Sequence, residues 1–243
     1  METTSVALMD APEIEFIHAI SSSFAASDSL HKVLGQVVNF VSTLVKCDSC
    51  FIYVLEGSDL VLRGSKNPHP EVEVVDRLKL RVGQGITGWV AQHKQPVAVP
   101  RNAARDPRFQ VFNELPEDHF EAFLSVPVLC RSKLVGVINV QHRQPHNHTK
   151  RQIQIISTIG FLVGAEIEMA RLESENSELS ERLETRKVVE RAKGILQREL
   201  KMTEEEAYLS LQRQSRQRRK PMKEIAEAIV LSEEVRRGQS SVS

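Results

Sequence analysis

The stretch Glu190-Arg191-Ala192-Lys193-Gly194-Ile195-Leu196, followed by Thr203-Glu204-Glu205-Glu206-Ala207 and by Lys220-Pro221-Met222-Lys223-Glu224-Ile225-Ala226, marks the C-terminal end of this chain as a small three-helix module. Leu196, Leu200, Ala207, Leu211, Ile225, Ala226 and Ile229 recur at three- and four-residue spacings. Each short helix therefore carries one apolar stripe, and the three stripes can close into a shared core. Thr203 with Glu206 three positions on reads as a capping box, the hydroxyl accepting from a backbone N–H while the glutamate reaches back to the cap. A second helix is expected to begin there. Pro221 follows a basic run and stands where first-turn donors are unpaired anyway, so its missing N–H costs nothing and a third helix is expected from about that point. Tyr208, between Ala207 and Leu211, is expected to pack inward.

Whole-chain charge conceals what this module carries. The 243 residues hold 32 basic and 32 acidic side chains, with an isoelectric point near 7.1. Between residues 186 and 223, however, twelve Lys or Arg stand against five Glu. A local excess of that size is a patch on the scale of a phosphate backbone, or else a solvated charged face.

The Ala192-Lys193-Gly194-Ile195-Leu196 run, Glu205 with Ala207 and Leu211, and Ala226 with Ile229 and Val230 resemble, in that order, the ANTAR family of RNA-binding antitermination domains over residues 186 to 231. The resemblance implies action on nascent transcripts. Leader hairpins are the partner it implies, and within this module Lys193, Gly194, Arg198, Arg216, Arg219 and Lys220 are assigned to the RNA. Arg216, Arg219 and Lys220 run at three- and four-residue spacing, so one row can meet one backbone segment.

The remaining length suffices for one ordinary domain, and 41% hydrophobic residues can fill its core. No apolar run approaches the ~18 residues of a membrane span, and the start Met1-Glu2-Thr3-Thr4-Ser5 lacks a secretion signal's basic and apolar regions. A cytoplasmic protein with no membrane partner is expected. Three cysteines fit a reducing compartment and exclude a disulfide-built fold.

Residues 13 to 24 and 30 to 45 carry apolar side chains at helical spacing, and Cys50 to Leu55 then turns into a strand ending at Glu56-Gly57. Leu60 to Leu62, Val97 to Val99, Ala122 to Cys130 and Leu134 to Val140 add strands, the last two joined tightly through Arg131-Ser132-Lys133. The fold class is α+β: an antiparallel sheet with flanking helices, a coiled-coil helix and a three-helix module. Gly83-Gln84-Gly85-Ile86-Thr87-Gly88-Trp89, Gln95-Pro96-Val97, Asp106-Pro107-Arg108-Phe109, Ser125-Val126-Pro127-Val128 and Leu134 to Val140 are similar to a GAF domain in motif order and spacing. Gly83, Gly85 and Gly88 suit a tight loop entering a helix, as structure or as ligand contact. The resemblance implies a sensory or dimerising domain whose ligand pocket, where one exists, draws on Trp89, Asp106, Phe109 and Phe112. The identity of a small-molecule effector or cofactor cannot be read, since the fold does not choose among ligands.

From Leu162 to Arg186 a heptad frame puts Leu162, Met169, Asn176 and Leu183 at a, with Ala165, Leu172, Leu179 and Arg186 at d. A buried amide at Asn176 favours a partner amide across a parallel two-stranded seam, so a parallel homodimer is expected. The alternative is a solvated single helix, because five glutamates repel along it. The expected organisation is a disordered 1–12, a sensor domain over 13–165, a coiled-coil linker over 166–185, the RNA-binding module over 186–235 and a disordered tail over 236–243.

Two further constellations carry less. Cys47-Asp48-Ser49-Cys50 has redox or metal spacing, yet Cys50 opens a strand where a small apolar residue packs well. His142, His146 and His148 could offer imidazoles but read as a polar loop before a helix opening near Thr149, and no metal is assigned. No Ser-His-Asp order, Walker loop or paired carboxylates stand out, so no catalytic residue is assigned and no enzyme is expected. Two other classes stay open: a DNA-binding regulator using the same basic patch, and a cysteine-dependent methionine sulfoxide reductase of GAF type using Cys47, Cys50 and Cys130.

Overall fold

The computed structural model describes residues 29–66, 75–110 and 120–240, with Glu15, His18 and Ser22 before them. The expected tail 1–12 lies outside the described residues, as does most of the expected helix over 13–24, of which the three described positions are helical. The chain forms two compact units, Met1–Arg171 and Leu172–Ser243.

The first unit is built on α1 (Leu30–Val45), β1 (Ser49–Glu56), β2 (Asp59–Lys66), β3 (Lys79–Arg81), α2 (Gly85–His93), β4 (Val97–Val99), β5 (Ala122–Cys130) and β6 (Lys133–His142). The sheet runs β3-β2-β1-β6-β5-β4, with every neighbouring pair antiparallel. Alternate residues face opposite sides of a strand. Cys50, Ile52, Val54, Leu124, Val126, Val128, Ile138 and Val140 accordingly pack with Val33, Leu34, Val37, Val38 and Val41 of α1, and with Ile155, Ile156, Ile159, Val163 and Ile167. Phe51, Tyr53, Leu60, Leu62, Phe123 and Val137 form the second core with Ile86, Val90 and Ala91 of α2. Because both faces are covered, β1, β5 and β6 read in sequence as continuous apolar runs instead of alternating ones.

Arg131 and Ser132 both take positive φ, 46° and 65°, and Cys130 pairs with Lys133. The loop is therefore the two-residue turn whose twist suits a hairpin, and Lys133 belongs to the strand. Gly83 and Gly85 are left-handed, at 87° and 67°. A Cβ on Gly88 would stand 2.5 Å from the Arg81 carbonyl oxygen, so this glycine lets α2 lie against the backbone that precedes it.

One helix, α3 (Lys150–Leu200), runs 51 residues without a break. By length and composition it contains a stretch apolar enough to cross a membrane, which counting uninterrupted apolar residues failed to register. Its buried residues Ile155, Ile156, Ile159, Val163 and Ile167 are those packed against the sheet. From Arg171 to Glu184 every residue is exposed.

In the second unit, the end of α3 joins α4 (Glu204–Arg218) and α5 (Met222–Ser240) around Val189, Ala192, Leu211, Ile225 and Ala226. The capping box forms as expected: the Glu206 N–H donates to the Thr203 hydroxyl, and the Thr203 N–H donates to the Glu206 carboxylate at 2.8 Å. α4 ends at Arg219 in the left-handed conformation, φ 53°. Two expectations about the core are corrected. Leu200 is 58% exposed, because α3 ends there and the chain turns at Lys201 with φ 54°. Tyr208 is 43% exposed, standing about 100° around the helix from buried Ala207. α5 also continues as helix through Ser240, into the stretch expected as a tail.

Candidate functional site

The basic side chains of the second unit sort into two sets. Lys193, though charged, is only 6% exposed. Its ammonium lies 2.8 Å from Glu204 and 3.0 Å from Glu190, tying α3 to the first turn of α4. The hydrogen bonds to Glu204 and then Glu190 raise its pKa above the ordinary lysine value, and Lys193 in turn lowers that of Glu204. Arg198 pairs with the buried carboxylate of Glu233, which also takes Arg237 at 2.7 Å. Arg191 meets Glu234 at 2.7 Å, and Lys220 meets Glu224 at 2.9 Å. The second set is different. Arg213, Arg216, Arg218 and Arg219 are exposed and form no ion pair among the described residues. They crowd the C-terminal end of α4, where the helix dipole favours cations.

Of the residues expected at the RNA, Arg216 and Arg219 thus stand open, while Lys193, Arg198 and Lys220 are held by carboxylates. Gly194 is exposed, and a Cβ added to it would find nothing within 4 Å. Among the described residues, none uses the space its missing side chain leaves. Arg213 and Arg218 were not anticipated, although no acidic residue occurs from Ala207 to Lys223. That absence is the sequence signal that would have found them.

The coiled-coil positions share one stripe of α3. Met169, Leu172, Leu179 and Leu183 are each more than half exposed, Asn176 is exposed, and Leu162 is partly buried.

In the first unit, Trp89, Asp106 and Phe109 come together around Arg108, a residue the expectation omitted. The Arg108 guanidinium donates to both Asp106 oxygens, at 2.9 and 2.8 Å, and lies 4.9 Å from the centre of the Trp89 ring. That hydrogen bonding holds the Asp106 carboxyl below its usual range. His93 stacks on Trp89 at 4.0 Å, and Phe109 packs against the core beneath α2. Phe112 lies outside the described residues. A buried relay also escaped the sequence reading: Ser125 donates to Asn139 and Asn139 to Thr87, both at 2.7 Å, fastening α2 to β5 and β6. Cys47 and Cys50 are buried, and burial pushes both thiols up. His142, His146 and His148 converge at the end of β6. Burial lowers His142 and His148 to about 4, so both are neutral at neutral pH.

Comparison with known proteins places these units. The GAF domain family matches residues 29–167 and the ANTAR domain family residues 177–230. The transcriptional regulatory protein PdtaR of Mycobacterium tuberculosis is 47% identical over 76 residues, which cover 31% of this chain and 37% of that protein. The Nif-specific regulatory protein of Herbaspirillum seropedicae is 22% identical over 206 residues, 75% of this chain and 36% of that protein. The chain thus spans little more than a third of the length of either relative. The solved GAF domain of an Acinetobacter phosphoenolpyruvate-protein phosphotransferase superposes with a TM-score of 0.60 at 27% identity, covering 68% of this chain and 97% of that one. A free methionine-R-sulfoxide reductase from Neisseria meningitidis gives 0.55 at 14% identity, covering 71% and 99%, a likeness of fold alone. With an antiparallel sheet between helices and, later in the sequence, a three-helix bundle, the chain belongs to the GAF domain family and carries an ANTAR domain after its GAF domain.

Proposed function

We propose that this protein is a cytoplasmic regulator of transcription that binds hairpins in nascent mRNA leaders through its ANTAR unit and promotes antitermination, under the control of a small-molecule effector at the GAF domain. The exposed arginine edge of α4 carries the reading: Arg213, Arg216, Arg218 and Arg219 form no ion pair among the described residues, on a unit where Lys193, Arg198 and Lys220 are matched by glutamates. Cations left unmatched at a surface are the ones able to displace counterions from a phosphate backbone. Side chains cannot readily read the deep major groove of A-form RNA, so sequence preference would come from unpaired loop bases. Exposed Tyr208 and open Gly194 offer surface for that contact.

The relatives named as regulators support a regulatory role over an enzymatic one. Burial of Cys50 also works against the thiolate a reductase needs. A parallel homodimer suits paired hairpins, because two modules on one seam raise the effective concentration of the second contact.

The test compares binding to a leader hairpin and to duplex DNA of matched length across a salt series. Tighter binding to the hairpin supports the reading, and preference for the duplex replaces it with a DNA-binding regulator. Arg216→Ala with Arg219→Ala should weaken binding to cognate and scrambled hairpins alike and reduce the salt slope by up to about two units.

A further inference from the structure

Among the described residues, a grouping of ligand atoms outside the arginine edge and the Trp89 region lies where β6 gives way to α3. One imidazole nitrogen from each of His142, His146 and His148 falls within 4.8 Å of the other two. His142 Nε2 and His148 Nε2 are 3.2 Å apart. Two nitrogens on one tetrahedral metal, each about 2.0–2.1 Å from it, stand about 3.3–3.4 Å apart. The third ring, His146, stacks on His142 with centroids 3.9 Å apart. His146 Nε2 and His148 Nδ1 are buried with no hydrogen-bond partner. Orphaned buried nitrogens of this kind ask for an ion or a water.

The loop that carries the rings is fixed by bonds that use none of them. The Glu121 N–H donates to the His142 carbonyl at 2.9 Å, and the Arg143 N–H to the Asp48 carboxylate at 2.8 Å. The His146 N–H donates to the Pro100 carbonyl at 2.9 Å. Thr149 and Gln152 then cap α3 reciprocally, at 2.8 and 3.1 Å. The backbone that carries the three rings is thus held in place without using any imidazole nitrogen.

We propose that His142, His146 and His148 bind one divalent transition-metal cation of the zinc class, with the fourth position taken by water. All-imidazole donors suit zinc, copper, iron or nickel, whereas magnesium and calcium want oxygen. Asp48, whose charge reaches His142, supplies nearby negative potential. Bound metal draws His146 in by side-chain rotation and joins the end of β6 to the start of α3.

Cobalt(II) titration of the tag-free, full-length protein after chelator dialysis tests this. Visible ligand-field bands should saturate at one equivalent and vanish on adding zinc(II). His146→Gln and His148→Gln, both at partly exposed positions, should each weaken zinc binding by at least about tenfold in competition with a chromogenic chelator, with circular dichroism unchanged. His142 is the most buried of the three, so the test does not depend on replacing it. Equal cobalt uptake by the wild type and the His146→Gln/His148→Gln double variant would overturn the proposal. So would a thiolate-to-cobalt charge-transfer band, which would move the metal to the cysteines.

Discussion

Gly194 and Lys193 are neighbours on α3 with opposite surroundings. A helix position about 100° from its neighbour looks elsewhere: Lys193 looks toward Glu204, and Gly194 toward open space. Gly194→Ala therefore meets no steric objection and removes backbone entropy from the unfolded chain. It should stabilise the second unit by about 0.8–1 kcal/mol, read as a rise in denaturation midpoint. If RNA approaches this face closely, the same variant loses affinity for the hairpin while becoming more stable. Retained affinity in the stabilised protein would take Gly194 out of the interface. Lys193→Ala should do the reverse, lowering the melting temperature by leaving two carboxylates facing each other. The inward turn of Lys193 was legible after all, since it stands four residues after Val189 and three before Leu196, on the row that forms the core. The motif's spacing drew attention to the charge and away from the row.

Among the elements, the acidic start of α4 and the stripe of α3 each make a measurable claim. The Glu206 carboxyl is held below its usual range by the Thr203 backbone N–H and then by the Thr203 hydroxyl. A carboxyl whose folded pKa is depressed contributes stability above its unfolded value, near 4.5, and loses it as the pH falls through the folded value. Hydrogen exchange of the first α4 amides should accelerate as the pH drops below about 4.5 after correction for intrinsic rates. Glu206→Gln, which keeps the reciprocal cap, should flatten that part of the response. In α3, Leu179→Lys with Leu183→Lys should yield a monomer in sedimentation, with weakened RNA binding and an intact first unit. An unchanged dimer would remove the seam from the mechanism. How well the elements could be read depended on how much of each is buried. α1, β4 and β5 follow their apolar runs to the residue. β3 went unseen because Lys79-Leu80-Arg81 buries only Leu80 and lies at the sheet edge, where charges belong. The histidines read as a polar loop in sequence because three residues spaced four and two apart need not meet. Pro100 and Asp48, far off in sequence, decide that they do.

For the whole molecule, the bare stretch of α3 is the feature to probe. Fourteen consecutive exposed residues on a lone helix make little use of burial, and helices owe most of their stability in proteins to packing. Limited proteolysis of the Leu179→Lys/Leu183→Lys variant should cut between residues 171 and 185 and release the GAF unit folded, whereas the wild type should resist cleavage there. Cleavage of both at equal rates would mean that this stretch has no partner helix. The unbroken run of α3 has a further consequence, of a mechanical kind. Neither Gly nor Pro offers a joint between Gly164 and Lys193, so that stretch carries no residue of the kind that breaks or kinks a helix. A single proline placed there, at exposed Ser177 for instance, would introduce the missing joint at about 3 kcal/mol of helix stability, and so would soften the rod without touching either core.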